Sequence, residues 1–294
     1  MKFLCTIPNV DAFNDIKHLC DGVILTNKKF SSRYETSFSF EEILQIVKKC
    51  NTQRMEAYLL VDDILTDSDI DDVRNLLETF KDTNLLYIFG DLAVYQLLKE
   101  YNITKKGVYN PSTLIANYVD FIFWKEFKIK GLFPTLEIPL TDIEIIGKNK
   151  KMKLFYKGFG MNVMFHSKRK LLSTYKEHKN IMYDFVSSTN LHLVEETRKE
   201  EYKIIENEHG THIYQPGIHN ILPAFDIAAS ELDYLFLDGT FLEWDKYVKA
   251  VEIYKDALLD MDRLNYYNSE LEKLFPNLTY NFLLSDSIFK KGDF

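Results

Sequence analysis

Eight short apolar runs alternate with helical stretches along most of the chain, and this alternation is what most limits the folds open to it. The runs cover residues 2–7, 22–26, 56–61, 85–89, 107–109, 131–136, 153–156 and 234–237; the seventh is followed by Gly158 and Gly160. Helical spacing fills the gaps. Residues 10–19 read as a helix, and Ser39 with Glu42 forms a capping box for a helix through Cys50. The stretch 66–81 carries Ile70, Val73, Leu76, Leu77 and Phe80 on one stripe, and 245–261 carries Tyr247, Val251, Tyr254 and Leu258. The pattern predicts a (β/α)8 TIM-type barrel, with a doubly wound sheet as the runner-up. At 294 residues the chain has room for a barrel of about 250.

The passage from Asn110 to Glu144 carries the most local detail. Asn110 before Pro111 predicts a capped helix over 112–127, with Leu114, Ile115, Val119, Ile122 and Phe123 toward the sheet. Glu137 falls where the sixth strand ends, and Thr141 with Glu144 restarts helix as a capping box. The spacing breaks at 176–215, where 191–194, 202–205 and 211–214 read as short strands. This predicts a β-rich insertion before the last strand of a barrel domain over 1–264, followed by a tail at 265–294 that packs back or meets a partner.

Composition excludes several classes. Hydrophobic residues at 46% and aromatic residues at 14% exclude disorder, and a net charge of −8 argues against a broadly basic nucleic-acid surface. The apolar run at the N-terminus is too short for a signal peptide or a membrane span, so a cytoplasmic protein is expected. Cys5, Cys20 and Cys50 are widely spaced with no paired motif, which predicts neither a disulfide framework nor a cysteine-ligated metal. His209, His212 and His219 lack zinc-ligand spacing, and neither a Walker A loop nor a dinucleotide fingerprint occurs.

Carboxylates at strand ends are the first candidates for chemistry. Glu137 and Asp238 stand at the ends of the sixth and eighth strands, where barrel active sites form, and each has a competing structural role as a cap or ion-pair partner. Arg33, after the second strand, offers a planar fork for an anionic ligand. The run His166-Ser167-Lys168-Arg169-Lys170 is the one concentrated basic segment and could contact phosphate or a carboxylate. His166 and Ser167, being adjacent, do not make a convincing nucleophile–base pair.

Several fragments together resemble the collagenase-like peptidases, peptidase family U-32. Gly22-Val23-Ile24-Leu25, then Phe30-Ser31-Ser32-Arg33 and Phe38-Ser39-Phe40-Glu41-Glu42-Ile43, are similar to the family's opening barrel units. Asp91-Leu92-Ala93-Val94, the passage from Asn110 through Asn117 to Glu137, and Leu237-Asp238-Gly239 resemble later family segments. The candidate substrate-binding residues are Arg33, Asp91, Asn110, Asn117, His166, Ser167 and Arg169, and the candidate catalytic residues are Glu137 and Asp238. The resemblance also has gaps. In the signature segment Gly160, Ser167, Arg169 and Ser173 fit, whereas Val163 and Lys170 stand where cysteines are expected, and Thr240 replaces an arginine. The iron–sulfur cluster implied for cysteine-bearing members needs four such ligands, so no cofactor is predicted here. Short, cysteine-poor members look like companions of a longer paralogue. The expectation is a subunit of a hetero-oligomer acting in tRNA wobble-uridine hydroxylation, against two alternatives: a peptidase using carboxylates at the barrel mouth, and a non-catalytic scaffold.

Overall fold

The computed structural model describes residues 1–284 apart from Arg198 and Asn281. Its first half repeats strand then helix: β1 (Lys2–Thr6), α1 (Phe13–Ile16), β2 (Gly22–Leu25), α2 (Phe40–Gln53), β3 (Glu56–Val61), α3 (Ile70–Phe80), β4 (Leu85–Phe89), α4 (Leu92–Glu100), β5 (Gly107–Tyr109), α5 (Tyr118–Lys125), β6 (Gly131–Leu132), α6 (Leu140–Asn149) and β7 (Lys153–Gly160). Between β7 and β13 lie β8 (Val163–Ser167), α7 (Leu171–His178), β9 (Leu191–Val194), β10 (Glu201–Asn207) and β11 (Gly210–Tyr214), which make up the insertion, then β12 (Ile218–Asn220), which pairs with β7, and α8 (Phe225–Glu231). Then come β13 (Tyr234–Leu237), α9 (Trp244–Leu259), α10 (Leu264–Leu274) and β14 (Leu278–Thr279). Strands β1 to β7 pair in parallel in chain order, and β13 closes the circle by pairing in parallel with both β7 and β1. The result is an eight-stranded parallel barrel with helices between its strands.

Alternation along the strands divides the apolar residues into two shells. Leu4, Ile24, Tyr58, Leu60, Ile88, Val108, Phe133, Phe155, Tyr234 and Phe236 fill the barrel interior. Their neighbours Phe3, Cys5, Val23, Leu25, Ala57, Leu59 and Val61 face the helices. At the entry end of the strands a polar plug closes the barrel: Glu56 accepts from Tyr58 (2.7 Å), Lys130 (2.9 Å) and Tyr234 (3.2 Å), with Lys2 at 3.3 Å.

Four local expectations are corrected. The helix expected at 10–19 is the single turn α1. The helix expected at 112–127 starts only at Tyr118, because Ser112 sits at φ 69° and Asn117, with Asp120 in a capping box, takes the cap position expected of Asn110. It also turns its other side inward. Phe121 and Trp124 are buried, whereas Leu114, Val119, Ile122 and Phe123 of the expected core stripe are exposed. Strand β6 ends at Leu132, since Pro134 has no N–H to extend the ladder. Helix α6 begins after Pro139 without a side-chain cap, and Glu144 pairs with Lys148 instead of capping.

The insertion is a four-stranded antiparallel sheet ordered β8-β11-β10-β9. It begins earlier than the expected 176, because β8 pairs with β11 and brings His166 and Ser167 into the sheet. Gly210 turns the hairpin at φ 130°, where an added Cβ would lie 2.0 Å from the carbonyl oxygen of Ser167. In the tail, Leu271, Phe275 and Leu283 are buried, and Leu140 N donates to Leu283 O at 3.0 Å.

Candidate functional site

The carboxyl ends of β2, β3, β7 and β13 place a ring of charge at the barrel mouth. The loop after β2 is fixed from both sides. On the barrel side, Ser32 donates to Asp63 through its N–H (3.1 Å) and hydroxyl (2.7 Å). On the insertion side, the Asn207 amide donates to Ser32 O at 2.8 Å and the Tyr214 hydroxyl donates to Arg33 O. Arg33 is thereby aimed across the mouth, where its Nη2 donates to Asp62 O at 2.6 Å. Opposite it, Lys157 of β7 pairs with Asp238 at 2.7 Å and donates to Met161 O at 2.5 Å. Asp238 also accepts from the N–H and hydroxyl of Thr240, at 3.0 and 2.6 Å. Gly160, at φ 119°, permits this approach of β7 to β13: a Cβ there would lie 2.5 Å from Asp238 O.

Between these groups lies a cavity of about 120 Å³, open to solvent. Tyr34, Phe133, Pro134 and Phe236 supply flat apolar walls, and Arg33, Asp62, Lys157, Asn162 and Gln215 supply polar groups. Asn162 directly precedes β8 and Gln215 directly follows β11, neighbouring antiparallel strands of the insertion sheet, and the two are joined by Gln215 N donating to Asn162 O at 2.8 Å. Five buried polar atoms here have no protein hydrogen-bond partner: Arg33 Nε, Asp62 Oδ1, both side-chain ends of Asn162, and Gln215 Oε1. A buried polar atom left unpaired costs free energy, so such a concentration in one cavity marks a place shaped for a ligand.

Burial pushes the Asp62 carboxyl up to about 6, with Arg33 and Lys157 opposing and Asp63 reinforcing the rise. That places a carboxyl able to exchange protons near neutral pH against the cavity. Burial also opposes the charge of Arg33, but Asp62, Tyr34 and Asp63 outweigh it and hold the guanidinium charged. Behind the cavity His166 and His212 stack with centroids 4.4 Å apart. Burial, with His166, Arg33 and His209 nearby, holds His212 neutral down to about 3.

The sequence candidates separate into three places. Arg33, Asn110, Glu137 and Asp238 reach the mouth: Glu137 stands exposed on the cavity rim, Asn110 lines it, and Asp238 is tied to Lys157 behind it. Asp91 lies in an adjoining cleft with Asp62 and Asp63, where its carboxylate caps α4 through Ala93 N at 2.8 Å. Asn117, His166, Ser167 and Arg169 do not line the cavity; Asn117 caps α5, His166 stacks on His212, Ser167 accepts from Arg169 N at 3.1 Å, and Arg169 is exposed. Residues not singled out from sequence are Asp62, Lys157, Asn162 and Gln215. Asp62 directly follows the strand ending at Val61, so the strand-end rule applied to Glu137 would have found it. No comparable signal marks Asn162 or Gln215.

The iron–sulfur chemistry implied for cysteine-bearing relatives does not fit these residues. Val163 and Lys170 offer no thiolate, and Cys5, Cys20 and Cys50 are buried in the shell between strands and helices. Among the described residues no group of three His, Cys, Asp or Glu side chains is placed to hold a metal ion, and no helix is long and apolar enough to cross a membrane.

The family model described as peptidase family U32 matches residues 10–290. The chain is 22% identical over 240 residues to tRNA hydroxylation protein P2 of Bacillus subtilis (strain 168), covering 80% of this chain and 78% of that protein. A solved U32 peptidase superposes with a TM-score of 0.51 at 12% identity, over 81% of this chain and 92% of the other, which shows a shared fold.

Proposed function

We propose that this chain, which belongs to peptidase family U32, works on RNA as a cysteine-poor subunit in tRNA wobble-uridine hydroxylation, in a hetero-oligomer with a longer paralogue. The observation that carries the reading is the cavity itself. Flat walls from Tyr34, Phe133 and Phe236 suit a planar ring, and unpartnered amide and guanidinium groups of Asn162, Gln215 and Arg33 suit the donor and acceptor edge of a base. Similarity to a protein named for tRNA hydroxylation supports the same direction. In this reading the present chain binds and orients the base. The redox centre belongs to the partner, because this chain's own residues at the signature positions cannot ligate a cluster.

Mass spectrometry of total-tRNA nucleosides, with and without the gene, tests the proposal. Loss of hydroxylated wobble uridine in the deletion strain is the expected outcome, and an unchanged profile overturns it. One observation favours peptide hydrolysis instead: Asp62, held near 6, is suited to act as a general base at the mouth. Peptide release from gelatin by the pure protein, abolished by Asp62→Asn, would favour that reading. Tight co-purification with another barrel and no activity of either kind would favour a scaffold.

A further inference from the structure

At the end of the barrel opposite the mouth, the loops entering β6, β7 and β13 enclose a second concavity. Five lysines, Lys125, Lys130, Lys150, Lys151 and Lys153, line it with a single carboxylate, Asp233. In a chain of net charge −8 this is a local reversal of sign. Three of the lysines are held in place: Lys130 by Glu56 at 2.9 Å, and Lys150 and Lys153 by the two oxygens of Asp233 at 2.7 Å each. Lys125, in the last turn of α5, and Lys151 are exposed, with no ion pair among the described residues. Counting Glu56 behind Lys130, five positive charges face two negative ones, a surplus that a concave surface concentrates.

We infer that this lysine-lined concavity is a second RNA contact, gripping phosphates of the same RNA whose base enters the mouth; the inference rests on the RNA reading above. Two features favour RNA as the occupant. Lysines act as point charges suited to phosphates without sequence preference, as a contact remote from the reacting base requires. The concavity also lies in the sector of the mouth cavity. The mouth is walled by residues following β5, β6 and β7, and the lysines precede β6 and β7, on the order of 20 Å away along the strands. A folded RNA running down the α5–α6 side reaches both ends, whereas a free nucleotide does not.

The test compares the wild type with the double variant K125E/K151E, whose altered side chains are exposed, after checking that its melting temperature is unchanged. The probes are unfractionated bacterial tRNA, pentauridine and inorganic tripolyphosphate, titrated at several salt concentrations. The expected result is a loss of tRNA affinity of about tenfold or more and a salt slope smaller by about two, with pentauridine binding unchanged. If the variant keeps the wild-type tRNA affinity and slope while Asn162→Ala weakens RNA binding, the second contact is overturned and the RNA reading stands. If the variant loses tripolyphosphate but not tRNA, the concavity serves a free polyphosphate and the inference is likewise overturned. A wild type that binds neither RNA overturns the RNA reading itself.

Discussion

The two ends of this barrel are built from similar residue types and handle them in opposite ways. At the entry end, Glu56 gathers two tyrosine hydroxyls and two ammonium groups, and the stacked rings of Phe155 and Tyr234 lie 4.2 Å apart above it. At the mouth, Arg33, Asp62, Asn162 and Gln215 lie close together yet leave five polar atoms unpartnered. The plug inside the entry end satisfies its polar groups within the protein, and the mouth holds them ready. In the interior of parallel barrels stability and function divide along this axis, and here the division between plug and mouth is visible atom by atom.

Breaking the plug gives the largest effect. Glu56→Ala leaves the half-buried Lys130 and two tyrosine hydroxyls without their acceptor, and is expected to cost about 2–4 kcal/mol, read from the denaturant midpoint. Burial works against the Glu56 charge, but hydrogen bonds from Tyr58 and Lys130 outweigh it and hold its carboxyl below the ordinary value. The stabilisation is therefore present above about pH 4.3 and fades as pH falls below it, so the gap between wild type and variant narrows in acid.

Asp62→Asn is expected to act in the reverse direction. The folded carboxyl keeps its proton up to about 6, the unfolded one only to about 3.9, so acidification through this window stabilises the wild type. Removing the charge is expected to stabilise the protein by about 1–3 kcal/mol at pH 7.5, an advantage that is gone near pH 4. Thermal melts at the two pH values measure it, and an equal gain at both would refute this account of the charge. Asn162→Ala is expected to have the smallest effect on stability, within about 0.5 kcal/mol of zero or slightly favourable, because it deletes groups that have no protein partner. It should nevertheless weaken RNA binding, and a large loss of stability with no loss of binding would move Asn162 from the site to the scaffold.

The strands were more legible in sequence than the polar groups at either end of the barrel. Strands β3, β4, β5 and β13 fall on the expected residues, because short apolar runs bounded by polar turns leave little choice of register. Helix α5 was misjudged because it is apolar on two sides, and periodicity alone cannot say which side meets the sheet. At the mouth, Asp238 was legible as a carboxylate at a strand end and Arg33 as a cation in the loop after β2. Asn162 and Gln215 were not, since they are far apart in the chain and meet only when the insertion folds back as a sheet.

The position of the insertion between β7 and β13 sets an order on folding. The barrel cannot close until β13 has emerged from the ribosome, and by then the whole insertion has already emerged. Contacts that orient Arg33, from Asn207 and Tyr214, join residues more than half the chain apart. Such pairings form slowly because a long loop must close before they contribute. The ligand cavity is thus among the last parts of the molecule to assemble, and during synthesis the open edges of β1 and β7 wait for a strand that arrives late.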